Sequence, residues 1–173
     1  MFLVPEVLNE CFIYENGQMQ VATGDVTLPK LENITNTLKG GGIAGEVESP
    51  VMGHYKSVQM TVNYRIPTKE FLKRHRAGNQ DLEVRGATQF LNKQTGLQEI
   101  QHFKIVARGR TVSGDGGKMA AHSPFDSAIT YELHYYKVSI NGETIIEIDK
   151  FNYIAVIDGV DYMKEVRKAL GME

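Results

Sequence analysis

The sequence has 173 residues, enough for one domain with a sizeable core, and its 19 basic and 21 acidic side chains leave a net charge of −2. That balance gives no general electrostatic case for nucleic acid or an anionic membrane as partner. A lone cysteine, Cys11, rules out an intramolecular disulfide and cysteine-rich zinc sites, and no run approaches the ~20 apolar residues that span a bilayer.

The opening MFLVPEVLNECF lacks a basic stretch, and Pro5 and Glu6 interrupt its apolar run. It is read as part of a cytoplasmic chain rather than as a signal peptide, with Cys11 as a small buried side chain. FIYENGQMQV then sets Asn16-Gly17 between two strand-like arms, a strong hairpin signal. In KSVQMTVNYR, Val58, Met60, Val62 and Tyr64 alternate with polar residues, which predicts a half-buried strand. PTKEFLKRHRAG predicts a helix with Phe71, Leu72 and His75 on one side and a stop at Gly78. Strands are expected over Leu82–Leu91 and Ile100–Arg110, linked through Gln94-Thr95-Gly96.

SGDGGKMAAHSP, residues 113–124, predicts a long exposed loop, a feature that is usually functional or mobile in a compact domain. A second Asn-Gly pair, Asn141-Gly142, joins SAITYELHYYKVSI to ETIIEIDKFNYI in a long hairpin. Apolar parity changes along its first arm, from Ile129, Tyr131, Leu133 and Tyr135 to Tyr136, Val138 and Ile140. A bulge near Tyr135-Tyr136, or a switch of buried face, accounts for the change. The tail GVDYMKEVRKALG predicts a helix capped by Asp161, striped by Tyr162, Met163, Val166 and Leu170, and closed by Gly171. The class expected is mainly β, an antiparallel barrel or sandwich with one or two flanking α-helices.

Gly40, Gly42 and Gly45 have the G-x-G-x-x-G spacing of a dinucleotide site, but EVESPVMGHYKS follows them where a helix would be required. Glycines that allow positive φ in a bend or a close chain crossing explain the spacing better. SGDGGKM fails as a phosphate loop: Val112 takes the first glycine position, and Met119 stands where Ser or Thr would hold magnesium. His54, His75, His102, His122 and His134 have no telling ligand spacing, and no serine sits in a nucleophile elbow. Neither a metal, a cofactor nor catalysis is expected. One charge pattern remains. Along IQHFKIVARGR, Phe103, Ile105 and Ala107 face one way while His102, Lys104, Arg108 and Arg110 face the other. Such a face could bind single-stranded nucleic acid, or Lys104, Arg108 and Arg110 could pair with Glu143, Glu147 or Asp149 on the same or a neighbouring subunit. The near-neutral chain favours pairing.

VTLPKL (26–31), GGGIAGE (40–46), ARGR (107–110), YKVSINGETIIEID (136–149) and GVDYMKEVRKALG (159–171), in this order, resemble the major tail tube protein family of contractile-tailed bacteriophages. The resemblance implies a barrel or sandwich with a flanking helix, forming hexameric rings that stack into a hollow tube inside a contractile sheath. It further implies a non-enzymatic virion subunit, assembled in the host bacterial cytoplasm, whose tube lets DNA pass without binding it specifically. Implied partners are further copies of the chain and the sheath, tape-measure, baseplate and tail-terminator proteins, with no membrane. Headless bacteriocin-like particles use similar tubes.

On that reading residues 1–173 form a single tail-tube domain, with a projecting arm around 28–47 and the loop around 113–124. Leu28, Leu31, Ile34, Leu38 and Ile43 are the expected apolar contacts between subunits or rings, with Gly40, Gly42 and Gly45 allowing close backbone approach. Gly114, Gly116, Lys118 and Met119 are the corresponding residues of the loop. The channel is expected to be neutral to acidic, because every phosphate neutralised would add salt-dependent affinity and hold cargo back. A monomeric β-barrel that binds nucleic acid or a small ligand through the 102–110 face is the alternative.

Overall fold

Period-two burial organises the chain as the sequence pattern requires. The computed structural model describes residues 2–20 and 23–172; Val21, expected to end the second arm of the first hairpin, lies outside them. The first hairpin joins β1 (Leu3–Glu15) to β2 (Gln18–Gln20), and β3 (Thr23–Thr27) follows. β4 (Asn33–Leu38) and β5 (Val47–Tyr55) form a separate two-stranded sheet. β6 (Gln59–Tyr64) and α1 (Lys69–Lys73) lead into the long strands β7 (Gln80–Asn92), β8 (Gln98–Asp115) and β9 (Ser127–Ile140). β10 (Glu143–Asp149), β11 (Ile154–Ile157), β12 (Val160–Asp161) and α2 (Lys164–Ala169) complete the order. Asn16 and Asn141 take φ of 49° and 50°, the positive values that a tight Asn-Gly hairpin turn needs.

Antiparallel pairing passes from β1 through β7, β8 and β9 to β6, and β6 pairs with β3. The two ends of this path, β2 beside β1 and β3 beside β6, are consecutive strands of the chain, and β1, β6, β7, β8 and β9 enclose one core as a partly open barrel. Its interior holds Ile13, Met60, Val62, Leu82, Ile105 and Tyr131 among others, all at most 2% exposed. β9 divides its remaining edge, giving Ser127–Glu132 to β6 and Tyr135–Ile140 to β10. The change of parity lies at this division. Arg108 pairs with Tyr135 and Gly109 with Leu133, so His134 is the extra, bulged residue.

One charged cluster is inside. Glu15 is 1% exposed, and its carboxylate accepts from Arg74 at 2.8 Å, from the Tyr131 hydroxyl at 3.2 Å and from the Tyr64 hydroxyl. Arg74 also reaches Gln80 Oε1 at 3.5 Å, and its carbonyl accepts from Thr111 Oγ1 at 2.7 Å. Burial, followed by the neighbouring Glu15, pushes the Tyr131 phenol far above its ordinary pKa; the Tyr64 phenol moves the same way. The cluster fastens α1 to the barrel and explains where the sequence reading of this helix goes wrong. Thr68 caps a helix of only five residues; Leu72 and His75 are exposed, and Arg74 turns inward beside Phe71.

Other expectations also change. Ser113–Asp115 remain in β8, so the long loop begins at Gly116. β1 reaches back to Leu3, which the sequence pattern did not reveal because bulges at Pro5–Val7 and Leu8–Glu10 break its alternation. α2 starts at Lys164, and Met163 is the buried member of the expected stripe; Tyr162 and Leu170 are exposed. Asp161 accepts from the Met163 N–H at 3.0 Å and pairs with Arg167 at 2.6 Å.

Candidate assembly surfaces

The β4–β5 hairpin stands outside the core. Every β4 residue is exposed. Leu38 pairs with Val47 and Asn36 with Ser49, so Ile34, Leu38 and Val47 share one face. Thr35 and Thr37 share the other face with Glu48, and Thr37 Oγ1 donates to Glu48 at 2.6 Å. That bond holds the Glu48 carboxyl below its ordinary range. The first face mixes Ile34, Leu38 and Val47 with Asn36 and Ser49, and its aliphatic side chains are exposed, although a lone two-stranded hairpin is marginal in water. Gly40, Gly42 and Gly45 form its tip with φ of 145°, 90° and 114°, beside exposed Ile43. Leu28 is exposed as expected, whereas Leu31 packs against the barrel core and is not on the arm's outer face.

At the base of the arm Gly53 takes φ of 69° and makes room for Met163; a Cβ there would lie 2.2 Å from the Met163 sulfur. Arg167 donates to the Tyr153 carbonyl at 2.8 Å. The C-terminal segment is thus clipped to the root of the hairpin. In the second candidate projection, Gly114 lies within β8 while Gly116, Lys118 and Met119 belong to the loop, all four exposed. The loop is pinned where the Lys118 N–H donates to the Phe125 carbonyl at 2.7 Å.

The barrel also leaves an open margin. β1 pairs with β7 along one edge, but on the other β2 covers only Ile13–Glu15 among the described residues. Val7, Leu8 and Phe12 are exposed along the uncovered part. A long uncovered strand of this kind is a template for pairing with another chain.

The outer face of the long strands is organised in rows. Glu83, Val106, Lys137 and Glu147 lie side by side across β7 to β10, next to the row Asp81, Arg108, Tyr135 and Asp149. Arg108 meets Asp81 at 3.2 Å, Lys104 meets Glu83 at 3.2 Å, Lys137 meets Glu147 at 3.6 Å, and Arg85 also bonds Glu83. Burial alone would raise the Glu83 carboxyl, but the bonds from Arg85 and Lys104 outweigh it and hold the group below its ordinary range. Burial and the bond to Glu147 push Tyr135 up to about 12. Within the chain the basic strand finds carboxylates, though from β7 rather than from Glu143, Glu147 or Asp149. The reason is topological: β7 borders β8 directly, while β9 separates β8 from β10. Arg110 donates to Asn79 at 3.3 Å, Asp149 accepts from the Phe151 and Asn152 N–H groups, and Glu143 is exposed beside its turn. Among the described residues no cluster of histidine, cysteine and carboxylate side chains could hold a metal ion.

The uncovered arm and the open edge of β1 are surfaces of the kind that pair with other chains. The fold of the chain is shared with solved chains of contractile injection systems. A chain of the PVC sheath/tube terminator in the extended state aligns with a TM-score of 0.55 and 13% identity, over 79% of this chain and 97% of its own. A chain of the PVC sheath–tube complex in the extended state gives a TM-score of 0.53 and 12% identity, over 75% and 87%. The chain belongs to the phage tail tube protein FII family, which matches residues 5–171. It is 25% identical to the tail tube protein of Escherichia phage P2, over 98% of this chain and 99% of that one. It is 27% identical to the major tail tube protein of Serratia phage KSP20, over 98% of each. Tail tube proteins are structural components of the phage tail.

Proposed function

We propose that this subunit forms hexameric rings that stack into the inner tube of a contractile tail and that the tube conducts DNA. The observation that carries the reading is the set of exposed aliphatic side chains on the β4–β5 arm: Ile34, Leu38, Val47 and the tip residue Ile43. These side chains are already about half covered, so burying the rest of each against another copy would contribute roughly 0.7–1.5 kcal/mol. The arm, with Leu28, and the loop carrying Gly116, Lys118 and Met119 are the ring-stacking surfaces in this reading. The open edge of β1 takes a strand edge of the adjacent copy, and a head-to-tail contact repeated around a closing axis leaves no edge bare.

Sheath, tape-measure, baseplate and terminator proteins are the further partners, and assembly takes place in the host cytoplasm. The basic strand does not support a separate nucleic-acid-binding module, since Lys104 and Arg108 each face a carboxylate. Negative-stain electron microscopy of the purified chain, alone and with a baseplate extract as nucleus, should show rings or tubes of constant width. A chain that stays monomeric under both conditions overturns the reading.

A further inference from the structure

Two surfaces that the proposed tube uses for different contacts, the loop after β8 and the edge of β1, meet at one end of the barrel. β1 reaches that end at Glu15, β8 reaches it at Asp115, and β9 leaves it at Ser127. The segment 65–80, which carries α1, runs between the two surfaces and bonds to both.

On the loop side, the Phe125 N–H donates to the Arg65 carbonyl at 2.7 Å, and Thr111 Oγ1 donates to the Arg74 carbonyl at the same distance. His75 packs so closely on Gly114 that a Cβ there would lie 1.9 Å from Nε2, and its ring meets Phe71 edge-on at 5.6 Å. On the β1 side, Arg74 pairs with Glu15 at 2.8 Å. Gln80 Oε1 accepts from Arg74 at 3.5 Å and from Asn16 Nδ2 at 3.1 Å, and Asn16 Oδ1 accepts in turn from the Asp81 N–H at 3.0 Å. Asn16 opens the β1–β2 turn.

Glu15, Arg74 and Gln80 are buried, and that decides how a shift of α1 is absorbed. An exposed bond that breaks is replaced by water at little cost, whereas a buried group that loses its partner bears its full desolvation penalty. α1 therefore moves with the partners of Arg74 rather than away from them. Between α1 and the turn lies a polar cleft of about 230 Å³, with Lys73 and Arg76 on one side and Gln18 on the other. Directed bonds, not a packed layer, join the two.

We propose that the segment 65–80 is a coupling element that ties order in the loop stem to order in the β1–β2 turn, through Arg74 and Gln80. In the assembled tube, on whose existence this consequence rests, a copy whose loop is held by a neighbour presents a stiffer β1 edge to the next copy, and the reverse holds by reciprocity. Growth then favours copies that make both contacts over copies that make one.

Gly117 has φ of 75°, and a Cβ on it would lie 2.0 Å from the Phe125 carbonyl oxygen, so Gly117→Ala displaces the loop stem without adding an atom to α1 or β1. Hydrogen exchange of the isolated chain should then quicken roughly 2- to 30-fold at residues 14–18, while the far hairpin turn around Asn141 keeps its rate. Gln80→Met keeps the bulk of the side chain and removes the shared acceptor. In that background Gly117→Ala should still loosen the loop stem but change residues 14–18 much less. Thr111→Val, which removes one bond to Arg74 and leaves Gly117 intact, should give a smaller response of the same pattern, and it decides the matter where Gly117→Ala does not fold. A turn that ignores the loop variants, or one that answers as strongly with Gln80 replaced, overturns the coupling. Tube formation by the unaltered chain is a separate result: without it the consequence for growth falls together with the tube reading, while exchange still decides on the coupling.

Discussion

The barrel and the β4–β5 arm are made of the same elements, antiparallel strands with alternating side chains, yet they stand on opposite footings. In the barrel each apolar row has a partner row from the same chain, and the one charged cluster, around Glu15 and Arg74, is fully bonded. In the arm the strands pair in the same way, but Ile34, Leu38 and Val47 remain exposed. The contrast shows that a strand pattern specifies what must be covered without specifying which molecule covers it. Stability of the barrel is a property of one chain; that of the arm would, in the proposed tube, belong to the assembly.

Breaking the barrel should have the largest effect on the isolated chain. Arg74→Ala leaves Glu15 charged and uncompensated inside, and should lower stability in urea by about 3–5 kcal/mol. Glu15→Gln with Arg74→Met should recover much of that loss, because no bare charge remains. Next comes the joint between the two regions. Gly53→Ala introduces a Cβ against the Met163 sulfur at a positive φ, for an expected cost of about 1–3 kcal/mol. Combining it with Met163→Ala should give clearly less than additive loss in a double-mutant cycle.

A smaller effect sharpens the same joint by pH. The Arg167 bond holds the Asp161 carboxyl below its ordinary value of 3.8. A carboxyl depressed on folding stabilises fully above its unfolded pKa, and the contribution fades as pH falls through the lower folded value. Hydrogen exchange over residues 159–170 should therefore quicken below about pH 4 before the barrel opens, and Asp161→Asn should remove that step. The arm itself gives the smallest change. Ile34→Ser with Leu38→Ser should leave urea stability within roughly 0.5 kcal/mol while abolishing tubes in the microscope. A large loss of monomer stability would mean that the arm is not free in the isolated chain.

Much of the fold was legible because its signals are local. Asn16-Gly17 and Asn141-Gly142 placed the hairpins, and the alternation around Val62 and Ile105 placed buried faces. The parity change in β9 signalled a bulge to within a residue or two, and its site at His134 needed the β8 register to fix. What stayed hidden depends on contacts distant in sequence. β1 was obscured by two bulges, and α1 was cut short because Arg74 is drawn inward to Glu15, a residue far away in sequence. The partners of Lys104 and Arg108 were sought on β10, whereas the adjoining strand β7 delivers Glu83 and Asp81. Leu31 looked like its exposed neighbours because a single apolar residue in an irregular segment carries no period. For the arm, the sequence indicated glycines and scattered aliphatics, but its two-faced hairpin emerged only from the pairing of Leu38 with Val47.

The divided edge of β9 has a mechanical side. One unbroken backbone borders β6 at one end and β10 at the other, so the C-terminal hairpin cannot swivel independently of the barrel. A pull along that strand loads its ladder in shear, many bonds sharing the force at once, instead of peeling them singly. Axial tension arriving at the tail of the chain is spread into the body through the strand with the most neighbours.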